Sequence, residues 1–183
     1  MSDIDILSNM IKTTVTIPLV DDNGRKKVLL EETQCSDSSV IIYGLPENTI
    51  AIKADAFKSR ESFFSGSRGE CKCADFIIVA DAPNKKIILC IEMKKTKGPR
   101  IGIVQQLNGA QCLALYCQEI GKAFWGQEEF LDDYKFRFIS IGHISIDKHK
   151  TRIDQPSGLH DKPEKMMKID WPRYLEFNRL AGR

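Results

Sequence analysis

Two apolar runs dominate the middle of the chain. Phe76–Ala80 and Ile87–Ile91 are nearly continuous in hydrophobic residues and are joined by the turn-like Asp81-Ala82-Pro83-Asn84. Short unbroken runs of this kind predict strands at about 73–80 and 86–93, central in a sheet covered on both faces. Upstream, Thr14–Val20 is rich in β-branched residues and Lys27–Glu31 returns after Asp21-Asp22-Asn23-Gly24, so residues 13–31 read as a hairpin. Val40–Tyr43 and Thr49–Lys53 repeat the arrangement around Gly44-Leu45-Pro46-Glu47-Asn48. Arg60–Gly69, with its Ser-Gly and Arg-Gly steps, reads as a loop able to cover a site. After Gly98-Pro99-Arg100-Ile101-Gly102 the period changes to that of a helix. Ile103, Leu107, Ala110, Ala114 and Cys117 form one stripe over Ile103–Ile120, and Gly121 reads as the helix stop. Phe136–Ile146 reads as another strand and residues 147–168 as polar, basic loop. A short helix is expected near Asp170-Trp171-Pro172, with the proline in its first turn.

Strands, then a helix, then a further strand predict an α/β or α+β sandwich with a mixed sheet. At 183 residues and 42% hydrophobic content, one domain with a real core is expected. A net charge of only +2 means that any attraction to nucleic acid must come from local clusters. No apolar run approaches the roughly 20 residues of a membrane span, and no basic-then-apolar leader opens the chain, so the expected compartment is the cytoplasm. Four of the six cysteines lie inside or beside apolar stretches, and in that compartment they read as small buried hydrophobes. Cys71-x-Cys73 has too short a gap for a usual zinc pair, and His143, His149 and His160 are scattered. No Ser/His/Asp arrangement, glycine-rich phosphate loop or Walker-type motif is present, which argues against other hydrolases and nucleotide-driven motors.

The chemistry gathers at the ends of the two apolar runs. Asp75 stands at the mouth of the first, and Glu92-Met93-Lys94 at the exit of the second. Alternation along a strand directs Glu92 and Lys94 to one face and Met93 to the other. Two carboxylates held together repel one another and favour uptake of a cation. Asp75 and Glu92, with the Met93 carbonyl as a further ligand, suit Mg²⁺ or Mn²⁺, and Lys94 could hold a water or steady developing charge. This is the minimum equipment for phosphodiester cleavage.

Asp75-Phe76-Ile77-Ile78-Val79, a short turn, then Ile88-Leu89-Cys90-Ile91-Glu92-Met93-Lys94 resembles the core of the PD-(D/E)xK nuclease superfamily. The match covers roughly residues 60–145. Ala74 replaces the proline of the motif, and Gln111 and Tyr116 do not meet the spacing of the exonuclease branch. The resemblance implies a restriction-endonuclease-like αβββαβ core, a mixed central sheet flanked by helices. The N-terminal β-hairpin region (1–59) and the basic C-terminal region (146–183) then become extensions. It also implies catalytic roles for Asp75, Glu92 and Lys94, with Gln106 on the following helix approaching a metal-bound water. An additional carboxylate from upstream would be Glu70 or Glu61. Lys95, Lys97 and Arg100, just past the motif, are expected to contact phosphates. Phe63, Phe64, Trp125 and Trp171 are candidates for stacking on bases.

The expected function is therefore Mg²⁺- or Mn²⁺-dependent cleavage of nucleic acid, DNA in preference to RNA. Small members of the superfamily often serve in bacterial restriction, anti-phage defence or DNA repair. With little chain left for a recognition domain, a homodimer or a partner protein would supply target choice. The alternative is a catalytically inactive nuclease-fold protein that binds nucleic acid or another protein.

Overall fold

The computed structural model describes residues 1–31, 39–94, 99–142 and 159–182. Expectations for Cys35, Lys95, Lys97, His143, His149 and residues 147–158 lie outside these. In chain order the elements are α1 (Asp3–Met10), β1 (Thr16–Ile17), β2 (Val20–Asp22), β3 (Arg25–Glu31), β4 (Ser39–Leu45), β5 (Asn48–Lys53), α2 (Ser59–Phe63), β6 (Phe76–Ala82), β7 (Lys85–Lys94), α3 (Arg100–Trp125), β8 (Lys135–Gly142), β9 (Met167–Asp170), β10 (Tyr174–Glu176) and α4 (Phe177–Ala181).

They form two mixed sheets. The larger runs β1-β5-β6-β7-β8-β9 and the smaller β10-β4-β3-β2. β5, β6 and β7 are an antiparallel meander, and β8 joins parallel to β7 after the α3 crossover. The two apolar runs thus occupy the centre of the large sheet, as their unbroken hydrophobicity predicts. One face of that sheet carries Ile77, Val79, Ile88 and Cys90, which pack with Leu7 of α1 and with Leu107, Ala110 and Ala114 of α3. The opposite face carries Phe76, Ile78, Leu89 and Ile91. These meet Val28, Leu30, Val40 and Ile42 of the small sheet and Phe177 and Leu180 of α4. The architecture is mixed α/β with two cores, one on each side of the same sheet. The large sheet takes β1 and β5 from the N-terminal region and β9 from the C-terminal region, so its strands extend beyond residues 60–145 at both ends.

Several local expectations are corrected. The segment 14–20 is not one strand: a 3₁₀ turn at Thr13–Val15 and Pro18 break it, and the hairpin is β2–β3, turning through Asn23 (φ 54°) and Gly24 (φ 79°). The N-terminal helix is present because Ser2 and Asp5 form a reciprocal capping box. The expected loop 60–69 begins with α2. Residues 167–176 supply two strands in place of a helix at Asp170, and the final helix starts at Phe177. Gly121 does not stop α3, which continues to Trp125 and ends at the left-handed Gly126 (φ 66°). Gly121 serves packing instead, since a Cβ there would stand 2.1 Å from the Phe130 ring.

The C-terminal residues are tied down by buried polar groups. His160 Nε2 bonds the Leu180 carbonyl at 2.6 Å, Arg137 Nε donates to the Ala181 carbonyl at 3.0 Å, and Phe138 N donates to the His160 carbonyl at 2.9 Å. Burial, reinforced by the neighbouring Arg137 guanidinium, holds the His160 imidazole below its ordinary 6.5, although its bond to Leu180 and the nearby Asp161 pull the other way.

Two stability predictions follow from this packing. Because folded His160 resists protonation, the unfolded chain takes up the extra proton once pH falls below about 6.5. The stability present above that pH is then lost progressively towards the lower folded value. Thermal unfolding followed between pH 8 and pH 5 should show a smaller acid-side decline in His160→Gln than in the parent. Gly121→Ala should lower stability by about 1–3 kcal/mol in urea titrations, because the added methyl overlaps a buried ring.

Candidate active site

The antiparallel register pairs Phe76 with Ile91. One further step places Asp75, just before β6, opposite Glu92, and both belong to the face covered by α1 and α3. The decisive contact joins Asp75 to the residue after Glu92: the Met93 backbone N donates to Asp75 Oδ2 at 2.6 Å. The Asp75 carbonyl in turn accepts from Ala54 N at 2.8 Å, which fixes this residue at the strand mouth. Strand geometry sends a residue's N–H and C=O to the same edge. The Met93 carbonyl is therefore directed to the edge where its N–H meets Asp75, beyond the start of β6. Meanwhile the Met93 side chain is buried in the opposite core.

Glu92 is 1% exposed, and Lys94 Nζ lies 3.6 Å from its Oε1. That separation is an ion pair and too long for a hydrogen bond. A carboxylate this deep costs several kcal/mol unless compensated, and Lys94 is one of its partners. Lys94 keeps about a third of its side chain exposed, so its ammonium bridges the buried acid and solvent.

Helix α3 is laid directly over the segment entering Asp75. A Cβ on Gly109 would fall 1.8 Å from the Lys72 carbonyl and 3.1 Å from Cys73 Cα, so only glycine allows this approach. Gln106 stands one turn earlier on that side of the helix, and its Oε1 is buried without a hydrogen-bond partner among the described residues. A buried amide oxygen in that state is the kind of acceptor that ordered water or a hydrated ion satisfies. The neighbouring Gln105 is engaged at both ends, donating to the Arg68 carbonyl at 2.9 Å and accepting from Lys72 Nζ at 2.6 Å.

The remaining predicted residues are placed as follows. Glu70 accepts from Ser65 Oγ, Gly66 N and Arg68 N, at 3.1, 3.0 and 2.7 Å. These bonds hold its carboxyl below the usual range, its own backbone N–H first among them. They engage Glu70 in shaping its own loop, and no contact among the described residues joins it to Asp75 or Glu92. Glu61 is exposed on α2. Arg100 opens α3 and donates to the Glu164 carbonyl at 2.6 Å, which fastens the C-terminal region to the helix start. Lys95 and Lys97 lie outside the described residues. Burial pushes the Cys73 thiol up to about 11 and the Cys90 thiol up as well, which makes both poor thiolate ligands.

Oxygen donors alone suit a hard cation. Among the described residues no group of three or more His, Cys, Asp or Glu side chains is arranged for a metal. Mg²⁺ is commonly held by one or two carboxylates and several waters. Two acids at a strand mouth, a nearby carbonyl and the orphaned Gln106 oxygen are compatible with that habit. Compared with family models, curated proteins and solved structures, the chain matches none. Among the described residues no helix is long and apolar enough to cross a membrane.

The bond between Asp75 and Met93 and the glycine-dependent seat of α3 were not predicted from sequence, because neither leaves a pattern in residue type. Gly109→Ala should lower stability by about 1–3 kcal/mol in denaturant titrations, as the new methyl displaces either α3 or the chain at Lys72–Cys73.

Proposed function

We propose that this chain is a metal-dependent nuclease that hydrolyses phosphodiester bonds, with DNA the favoured substrate. The observation that carries this reading is the bond from Met93 N to Asp75 Oδ2, which holds an acid from one strand against the Glu-x-Lys of the next. The succession β5–β6–β7–α3–β8, a meander followed by a helical crossover to a parallel strand, supports it further.

Asp75, Glu92 and the Met93 carbonyl would hold Mg²⁺ or Mn²⁺. Such an ion, when bound, polarises a phosphate and makes a coordinated water more acidic. The chain's residues do the rest. Glu92 holds the Lys94 ammonium at the rim of the site. In that form Lys94 donates hydrogen bonds to the attacking water or to a phosphate oxygen and neutralises charge as it develops. The Gln106 amide oxygen accepts from the water and fixes its orientation. The water oxygen bonds to phosphorus as the bond to the departing sugar oxygen breaks, and the water's proton ends on that oxygen or in solvent.

One feature favours a second reading. Asp75 is already bonded by Met93, and Glu92 is already paired with Lys94. A set satisfied from within also suits a structural strand-end clasp in a nuclease-fold protein that binds nucleic acid or protein without turnover. Asp75→Ala, Glu92→Ala and Lys94→Ala should each reduce Mg²⁺-dependent cleavage of circular single- and double-stranded DNA and RNA by at least about 100-fold, with circular dichroism unchanged. Full cleavage by purified Glu92→Ala would overturn the nuclease reading. Absence of Mn²⁺ binding at millimolar concentration in calorimetry would favour the clasp.

A further inference from the structure

A groove of about 950 Å³ lies between the Arg60–Glu70 segment and the outward side of α3. It is at the large end for ligand-sized sites. Its walls are unusually aromatic for solvent-facing surface: Phe63 is 82% exposed, Phe64 51% and Tyr116 54%. Phe63 and Phe64 meet edge to face at 5.0 Å, and Tyr116 is tilted against Phe57 at 6.1 Å. Two ring pairs therefore border one cleft. Asn108 also lines it, and no hydrogen bond, ion pair or other interaction occupies its side chain among the described residues.

The charge in the groove has one sign in excess. Arg60 donates to the carbonyls of Cys71 and Phe57, and Lys72, beside Gln105, donates to an amide oxygen. These partners are neutral, and neither cation forms an ion pair with a carboxylate among the described residues. Arg68 is exposed at the rim and makes no ion pair among the described residues. The one acid in the lining among the described residues, Glu70, is wrapped by a hydroxyl and backbone N–H donors of its own loop. The chain also links the groove to the candidate active site. Lys72, bonded to Gln105 of the lining, precedes Asp75 by three residues, and Gln105 itself precedes Gln106.

We propose that this groove binds unpaired nucleotides of single-stranded nucleic acid, their bases stacked on Phe63, Phe64 and Tyr116 and their phosphates drawn by Arg60, Arg68 and Lys72. Duplex bases are already stacked on one another and cannot enter such a cleft, whereas unstacked bases present a π-face to any aromatic ring. The proposal rests on the nuclease reading and narrows its substrate to single strands or to locally opened duplex.

Fluorescence anisotropy of the full chain in EDTA, where no cleavage is possible, tests the groove apart from the chemistry. The probes are 12-nucleotide DNA and RNA single strands, the matching duplex, and an abasic strand of equal charge. Either DNA or RNA single strands, or both, should bind at least about tenfold more tightly than duplex or abasic strand, and the stronger of the two identifies the sugar preference. Phe63→Ala/Phe64→Ala and, separately, Tyr116→Ala should weaken that binding about tenfold or more, with unchanged thermal unfolding because all three rings are exposed. Equal affinity for native and abasic strands, binding untouched by both variants, or failure of any oligonucleotide to saturate would overturn the proposal. Binding with the expected base dependence but no cleavage in Mg²⁺ would sink the nuclease reading and leave the groove standing. Metal-dependent cleavage without base-dependent binding would do the reverse.

Discussion

Burial of both faces of the large sheet governs what this molecule can do. β6 and β7 touch helices on one side and a second sheet on the other, so neither strand has a wetted face. Polar groups placed mid-strand would be desolvated without recompense. Polar chemistry can meet water only where the strands begin or end. Asp75 and the Glu92–Lys94 stretch occupy such ends, and the 2.6 Å bond from Met93 to Asp75 ties the two ends together. The same constraint explains why Glu92 is so deeply buried while Lys94 reaches solvent two residues later: the strand leaves the core between them.

Much of this arrangement could be read from residue order. Unbroken Phe76–Ala80 and Ile87–Ile91 marked central strands because burial on both faces removes the usual polar alternation. The stripe through Leu107, Ala110, Ala114 and Cys117 marked the face α3 lays on the sheet. The side-by-side placement of Glu92 and Lys94 followed from the two-residue period alone. What could not be read was set by contacts distant in sequence. Gly121 carries the same signature whether it ends a helix or admits a ring, and only the position of Phe130 distinguishes the two. Glu70 and Glu61 could not be told apart in sequence, and the bonds that engage Glu70 in its own loop appear only in the fold. The strands near residue 170 are short and owe their form to β8 and β4, their neighbours in the two sheets. The N-terminal helix was not expected, although Ser2 followed three residues later by Asp5 is a local capping signal.

The seating of α3 links the two surfaces of interest. Its sheet-facing side carries Leu107 and the Gln106 amide, and its outward side carries Gln105, Asn108 and Tyr116. Gly109 lets the helix settle on the backbone of Lys72 and Cys73, so the chain running from the aromatic loop to Asp75 is clamped beneath it. Any shift of α3 would alter groove and carboxylates together, which makes the helix a mechanical reference shared by both.

The last strands of the described chain have a consequence for how the molecule is assembled. β9 completes the large sheet against β8, and β10 completes the small one against β4. Without residues 167–176 the long strands β8 and β4 would be the outer strands of the two sheets; with them, that position passes to β9 and β10. Open strand flanks invite pairing with other chains. Strands of four and three residues offer far less edge for a foreign chain to pair with than the eight-residue β8 or the seven-residue β4, so these two short ribbons act as guards against self-association.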